Sequence, residues 1–142
     1  MERNYFDGKL DYVGFSAESS QVVTAEDVDL LGKISGDYNP LHFDEEYIAN
    51  TPFRRRIVHG LFCQGLISKI IGMDMPGKGT VFISEEIKFL NPVYIGDTIT
   101  AKVEISRIWI KTRKIKVSFN CKNQKGKKVV EGSALLKVLP EE

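Results

Sequence analysis

Residues 57–72, IVHGLFCQGLISKIIG, place apolar side chains on nearly every side of a helical wheel. A helix that is apolar all round is buried all round, so this stretch predicts a helix at the centre of the fold. A membrane span needs about 20 apolar residues. This stretch is shorter and contains His59, Gln64 and Lys69, so we expect a core helix and no membrane partner.

From about Thr80 onward, the hydrophobic pattern changes from a helical period to alternation. TITAKVEIS and KIKVSFNC alternate apolar and polar side chains, GTVFISEEIKFLNPV precedes them, and VVEGSALLKV follows the turn NQKGKK. Such patterns predict strands of an antiparallel sheet with one face in water. The side chains expected on the inner face are Ile99, Ala101, Val103, Ile105, Ile115, Val117, Phe119 and Cys121.

Two shorter helices are predicted ahead of the central one. Thr24 is a good N-cap with Asp27 three residues on, and Gly36 ends the helix that they begin. Residues 44–48 start with three acids and predict a second short helix, which Pro52 stops. The apolar residues expected on the inner face of the first helix are Val28, Leu31 and Ile34.

These elements predict an α+β fold in which an antiparallel sheet wraps around one long central helix. A chain of 142 residues has the size of one domain, and 42% hydrophobic with 27% charged residues is typical of a globular protein. No repeat, low-complexity tract or linker indicates a second unit. We therefore predict a single domain over residues 1–142.

Charge and cysteine content exclude several classes of function. A net charge of +1 leaves no global field that would attract nucleic acid. The first residues lead into no apolar segment of a secretory signal, and Cys63 and Cys121 lie in apolar surroundings, so we expect reduced thiols and a cytoplasmic protein. His59 and Cys63 have i, i+4 spacing, but no second pair of ligands follows, so we predict no metal.

The segment SGDYNPLHFD, residues 35–44, places an acid and a histidine on either side of a rigid turn. Asp37 and Asn39 form local turn hydrogen bonds in many proteins, and Pro40 fixes φ, so a purely structural turn is one interpretation. The other is catalytic, because an aspartate and a histidine held together can position a water molecule and transfer its proton. The residues Asp37 and His42 alone do not decide between these interpretations.

Gly60, next to His59, lies near the start of the predicted central helix. The first N–H groups of a helix have no internal acceptor, and the helix dipole makes this end positive. A glycine lets a substrate oxygen approach such an N–H, which would form an oxyanion hole. The alternative is close packing of Gly60 against a strand.

The whole pattern resembles the signature of the MaoC-like, hydratase-2 family of hot-dog proteins, which contains (R)-specific enoyl-CoA hydratases and (3R)-hydroxyacyl-ACP dehydratases. The segment IVHG at the central helix and the later VYIGD match this signature as well. The resemblance covers roughly residues 21–139. The residues that match the G-D-x-N-P-[LIV]-H core without a gap are Gly36, Asp37, Asn39, Pro40, Leu41 and His42.

The resemblance implies reversible hydration of trans-2-enoyl thioesters to (3R)-3-hydroxyacyl thioesters. It assigns the catalytic roles to Asp37 and His42, and it makes Gly60 N–H the donor to the thioester oxygen. Candidate substrate-binding residues are Asn39, which also shapes the turn, His59 and Ser68. No cofactor is implied, because coenzyme A or acyl carrier protein is part of the substrate, and hot-dog relatives imply a homodimer or a dimer of dimers.

Two other classes of function stay open at this stage. A hot-dog acyl thioesterase would need an acid or nucleophile on the central helix, and residues 57–72 contain no Asp or Glu. A non-catalytic acyl-binding subunit would not need the acid–histidine pair that this chain has.

Overall fold

The computed structural model describes residues 3–141 as one antiparallel sheet and a set of helices on its inner side. The short helices precede the central helix, and four of the five strands follow it. The elements are β1 Ser16–Val22, α1 Ala25–Ser35, α2 Pro40–Phe43, α3 Glu45–Ala49, α4 Leu61–Lys69 with a π-helical continuation Ile70–Asp74, β2 Thr80–Phe89, β3 Thr98–Trp109, β4 Lys114–Lys122 and β5 Lys128–Val138.

The five strands are ordered β1-β3-β4-β5-β2, and all neighbours run antiparallel. The register sets Val117 of β4 opposite Ile105 of β3 and Ala134 of β5, and all three side chains are buried. The alternation in the sequence therefore assigned the faces of these strands correctly. Every side chain expected on the inner face is at most 4% exposed: Ile99, Ala101, Val103, Ile105, Ile115, Val117, Phe119 and Cys121.

The central helix is shorter at its start and less enclosed than we predicted. Ile57 forms a β-bridge with Tyr94, and Val58 N–H donates to Val93 O, so these residues are extended and the helix begins at Leu61. Apolar side chains suit both conformations, so the pattern alone could not separate them. The sheet covers only one side of the helix. The residues on its other side are exposed: Leu61, Gly65, Ser68, Gly72 and Met73.

The first helix has the ends that its sequence predicts. Thr24 and Asp27 form reciprocal hydrogen bonds between side chain and backbone, and Gly36 ends the helix at φ 75°. Ile34 was expected on the inner face, but 83% of its surface is exposed. The adjoining α2 was not predicted, although its Asn39 N-cap followed by Pro40 is a typical helix start.

Strand β2 is an edge of the sheet and exposes unusually many apolar side chains. Among them, Val81 and Ile83 are each 48% exposed and Phe89 is 55% exposed. Edge strands with a free backbone and apolar side chains readily pair with another strand. Within residues 3–141, no helix is long and apolar enough to cross a membrane.

The two cysteines are distant in sequence and adjacent in the fold. Cys63 of α4 and Cys121 of β4 are both free and buried. Their side chains form a hydrogen bond, which together with burial raises the pKa of the Cys121 thiol well above its ordinary value. Buried, reduced thiols were the expected state of this pair, and the cytoplasmic location inferred from them stays a prediction.

Candidate active site

The turn before α2 holds the side chain of Asp37 in a defined orientation. Asp37 N–H donates to Ser35 Oγ over 3.0 Å, and Asp37 Oδ1 accepts from Asn39 N–H over 3.2 Å. Asn39 Oδ1 in turn accepts from Leu41 N–H over 3.1 Å and caps α2. The second carboxylate oxygen of Asp37, Oδ2, is thereby left to face His42.

His42 lies in α2 and is 9% exposed. Its Nδ1 is 2.7 Å from Ile57 O, and a carbonyl oxygen only accepts, so Nδ1 carries a hydrogen. In the neutral ring, Nε2 is then an acceptor. Nε2 is 3.7 Å from Asp37 Oδ2, which is too far for a direct hydrogen bond. A water molecule between the two acceptors would donate one hydrogen to each.

His59 lies directly behind this pair. Its ring stacks on that of His42 with centroids 3.8 Å apart and planes inclined by 23°. Its Nε2 is 2.8 Å from Asp37 O, so this nitrogen carries the hydrogen and Nδ1 is an acceptor. Nδ1 is buried and has no hydrogen-bond partner among the described residues. The structure thus brings together three of the predicted site residues, Asp37, His42 and His59.

Gly60 follows His59 and is the N-cap of α4. Within the described part of the chain, its N–H has no protein acceptor. It lies at the positive end of the helix dipole. A Cβ at this position would lie 2.5 Å from Cε1 of Phe89, so the glycine is also required for packing against β2. The packing interpretation is therefore confirmed, and it leaves the N–H free to meet a substrate oxygen.

The two remaining candidates occupy different places. Asn39 lies next to Asp37, but its side-chain oxygen is engaged in capping α2. Ser68 is exposed on the outer side of α4, about 12 Å along the helix axis from Gly60 at 1.5 Å per residue. Ser68 is therefore not part of the Asp37–His42 cluster, and any contact with substrate would involve a part distant from the reacting carbons.

Asp37, His42 and His59 also offer ligand atoms that lie within 4.8 Å of one another. Stacked imidazole rings direct their in-plane lone pairs side by side rather than toward one point, which does not suit a tetrahedral metal. Two of the four ring nitrogens of His42 and His59 are moreover hydrogen-bonded to backbone carbonyl oxygens. The geometry favours acid–base chemistry at this cluster, and the absence of a metal stays a prediction.

Two neighbours of the site were not identified from the sequence. Arg56 Nε donates to His42 O, and Ile57 O accepts from His42 Nδ1. A backbone carbonyl has no signature in a sequence, so Ile57 could not have been found. Arg56 follows two other arginines, and a run of arginines is usually solvated. The sequence therefore offered no reason to expect that Arg56 contacts the site.

A comparison with protein families identifies residues 14–128 as a MaoC like domain. The chain belongs to the MaoC-like family. The motif residues around Asp37 and His42 lie inside the matched region, so the resemblance inferred from the sequence is confirmed.

Two relatives of the chain carry the names of related activities. A "3-hydroxybutyryl-CoA dehydratase" of Methylorubrum extorquens is 38% identical over 130 residues, which cover 92% of this chain and 82% of the relative. A mitochondrial "3-hydroxyacyl-[acyl-carrier-protein] dehydratase" of Arabidopsis thaliana is 34% identical over 125 residues, covering 86% and 74%.

Among solved structures, the "(R)-hydratase from A. caviae involved in PHA biosynthesis" superposes with a TM-score of 0.87 at 33% identity. The match covers 93% of this chain and 99% of that one. The MaoC-like chain therefore has the hot-dog fold that the sequence predicted, a sheet wrapped around a central helix.

Proposed function

We propose that this MaoC-like hydro-lyase catalyses the reversible hydration of trans-2-enoyl thioesters to (3R)-3-hydroxyacyl thioesters. One observation carries the proposal: Asp37 Oδ2 and His42 Nε2 are two acceptors 3.7 Å apart that face the same gap. Hydration needs a group that holds one water molecule and takes a proton from it, and dehydration needs the same group to give that proton to the departing hydroxyl. The names of the relatives support the substrate class, and the geometry supports the choice of Asp37 and His42 as the reaction centre.

In the hydration direction, the water between the two side chains attacks C3 of the enoyl group. Asp37 takes a proton from the water, and His42 holds the same water and shares the acid–base work. The hydroxyl adds at C3, and electron density moves onto the thioester oxygen. The proton that Asp37 took from the water is then delivered to C2, which completes the addition and restores the Asp37 carboxylate. Dehydration is the same sequence in reverse.

The negative charge that builds on the thioester oxygen needs a donor. Gly60 N–H is free of protein acceptors in residues 3–141 and lies at the positive end of the α4 dipole. A preorganised donor of this kind typically contributes a factor of about 10²–10³ to turnover. We assign the oxyanion contact to Gly60, and no cofactor takes part in any step.

For the carrier of the acyl group, the proposal includes both coenzyme A and acyl carrier protein. One relative is named for a CoA substrate and another for acyl carrier protein. Both carriers present the same thioester, so the Asp37–His42 centre accepts either in principle. For Ser68, which is exposed on α4, we propose a contact with the acyl chain rather than with the reacting carbons. Asn39 contributes indirectly, because its hydrogen bonds shape the turn that holds Asp37.

We propose a homodimer, alone or as half of a dimer of dimers. Two unpartnered apolar surfaces support it: the edge strand β2 and the exposed side of α4 with Leu61 and Met73. Isologous pairing of β2 with its copy would satisfy the free edge of the sheet and cover these side chains. Such a dimer would also enclose the outer side of the helix, which the sequence pattern predicted to be buried.

A substrate panel tests the activity. Crotonyl and longer enoyl esters of CoA and of acyl carrier protein are offered to the purified protein, and the loss of enoyl thioester absorbance is followed together with the release of free thiol. We expect absorbance loss without thiol release. Thiol release would instead support a thioesterase, for which the helix and its π-helical continuation offer a single carboxylate, Asp74, about 20 Å from Gly60 along the axis. Neither signal would indicate a non-catalytic acyl-binding subunit.

A further inference from the structure

Residues 56–59, which we call the positioning segment, are joined by four hydrogen bonds to residues 37–42, which we call the catalytic turn. Arg56 Nε donates to His42 O, and Ile57 N–H donates to Leu41 O over 3.2 Å. His42 Nδ1 donates to Ile57 O over 2.7 Å, and His59 Nε2 donates to Asp37 O over 2.8 Å. The segment therefore contacts the turn at both of its catalytic residues.

The two side-chain donors hold the backbone of the catalytic residues themselves. The carbonyl of Asp37 is fixed by His59, and the carbonyl of His42 is fixed by Arg56. A shift of either carbonyl moves the attached side chain and changes the gap between Asp37 Oδ2 and His42 Nε2. That gap has to match one water molecule, so an error of about 1 Å in it is enough to affect turnover strongly.

The surroundings of His59 leave it little access to substrate. One face of its ring lies on His42, the Phe43 ring meets it edge-on with centroids 5.7 Å apart, and only 3% of the residue is exposed. Its Nε2 is occupied by Asp37 O, and Nδ1 is buried. Arg56 is similarly engaged, with its guanidinium 5.5 Å from the centre of the Phe43 ring.

We propose that Arg56 and His59 are positioning residues, which set the separation of Asp37 and His42 and hold His42 as the Nδ1-protonated tautomer. This inference rests on the proposed function of the pair, and it replaces the substrate-binding role that the resemblance suggested for His59. Because both side chains are engaged by contacts within the protein, their loss should lower kcat and leave KM nearly unchanged.

Paired substitutions test the proposal through rescue. His59→Leu and Arg56→Met remove the donors, whereas His59→Gln and Arg56→Lys keep a donor near the same place. We expect the first two to lower kcat by about 10- to 100-fold with KM within about threefold, and the second two to recover most of the loss. Arg54→Met is the matched control, because the Arg54 side chain donates to Ala49 O and lies outside the positioning segment. It should leave kcat unchanged.

A second measurement separates this inference from the function on which it rests. Nitrogen NMR of the histidine side chains reports the tautomer of His42 whether or not the protein is active. We expect Nδ1 protonation in the wild type and a mixture of tautomers in His59→Leu and Arg56→Met. An unchanged tautomer in folded variants contradicts positioning, and so does an equal loss of kcat in His59→Gln and His59→Leu. An inactive wild type with the expected tautomer shift contradicts the hydratase function and leaves the positioning role supported.

Discussion

At the scale of single residues, the proposed chemistry depends on two acceptors that face one gap. Asp37 is held through Oδ1 and His42 through Nδ1, so each presents its other polar atom to the same place. Motif recognition identified these two residues from the sequence. The direction in which each side chain is held could not be predicted, because it depends on a carbonyl of the distant Ile57.

Removal of either acceptor should reduce turnover without unfolding the protein. Asp37→Asn replaces the carboxylate, and His42→Asn keeps a donor near Nδ1 for Ile57 O while it removes Nε2. We expect kcat to fall by about 10²–10⁴ in each variant, the usual contribution of a positioned acid–base group. Steady-state kinetics and thermal melting are the measurements.

The matched control for charge is Glu45→Gln, an exposed acid in the adjoining helix α3. It should retain full turnover. If Asp37→Asn retained it as well, the turn would be structural and the catalytic assignment would fail.

Gly60 has two roles that a double substitution can separate. Gly60→Ala would press a Cβ into the Phe89 ring, which should cost about 1–3 kcal/mol of stability and displace the N–H. Phe89→Leu in the same chain makes room and should restore stability. We expect turnover to return together with stability, because alanine keeps the N–H. Chemical unfolding measures the stability of each variant, and turnover is measured in parallel. If Gly60→Ala were destabilised but fully active, the role of Gly60 would be steric only.

At the scale of elements, the strands were predictable and the start of the central helix was not. The alternation of apolar and polar side chains in β3 and β4 predicts one buried and one exposed face, and the apolar side chains are buried in the structure. Residues 57–58 are apolar and would fit a helix equally well. They are extended because Tyr94 and Val93 pair with them, and such long-range partners leave no mark in the local sequence.

The edge strand β2 leads to a prediction about assembly. Val81→Lys with Ile83→Lys places two charges on an edge whose side chains are now half exposed and apolar. Charged edges prevent strand pairing, so we expect this variant to be monomeric. Light scattering measures the mass. The control is Val22→Lys on the opposite edge strand β1, where Val22 is 53% exposed, and this variant should remain dimeric. A wild-type monomer at micromolar concentration would contradict the proposed interface.

At the scale of the whole molecule, the buried thiol of Cys121 in the core should make the stability of the fold decrease at alkaline pH. The contact with Cys63, and secondarily burial, raise the pKa of the Cys121 thiol in the folded chain, while the unfolded thiol titrates near about 8.5. The stabilisation is thus fully present below about pH 8.5 and is lost as the pH rises above it. The free energy of unfolding should fall by up to about 1.4 kcal/mol per pH unit from this group.

Denaturant unfolding between about pH 8 and pH 10 checks this dependence. The contact with Cys121 lowers the pKa of the Cys63 thiol, so the control has to remove both thiols. In Cys63→Ala/Cys121→Val the slope should be smaller by the same amount. Equal slopes in this variant and the wild type would show that the cysteine pair does not contribute.

The central claim is that the Asp37–His42 centre delivers hydroxyl to one face of a bound enoyl thioester, and product stereochemistry tests it most directly. Crotonyl-CoA is hydrated by the purified protein in the presence of a dehydrogenase that accepts only the (3S) or only the (3R) product. We expect a signal with only one of the two enzymes, because the Gly60 contact fixes the orientation of the thioester carbonyl. The similarity to an (R)-hydratase indicates that this is the (R)-specific enzyme. A strong (S)-coupled signal, lost in Asp37→Asn, would contradict it.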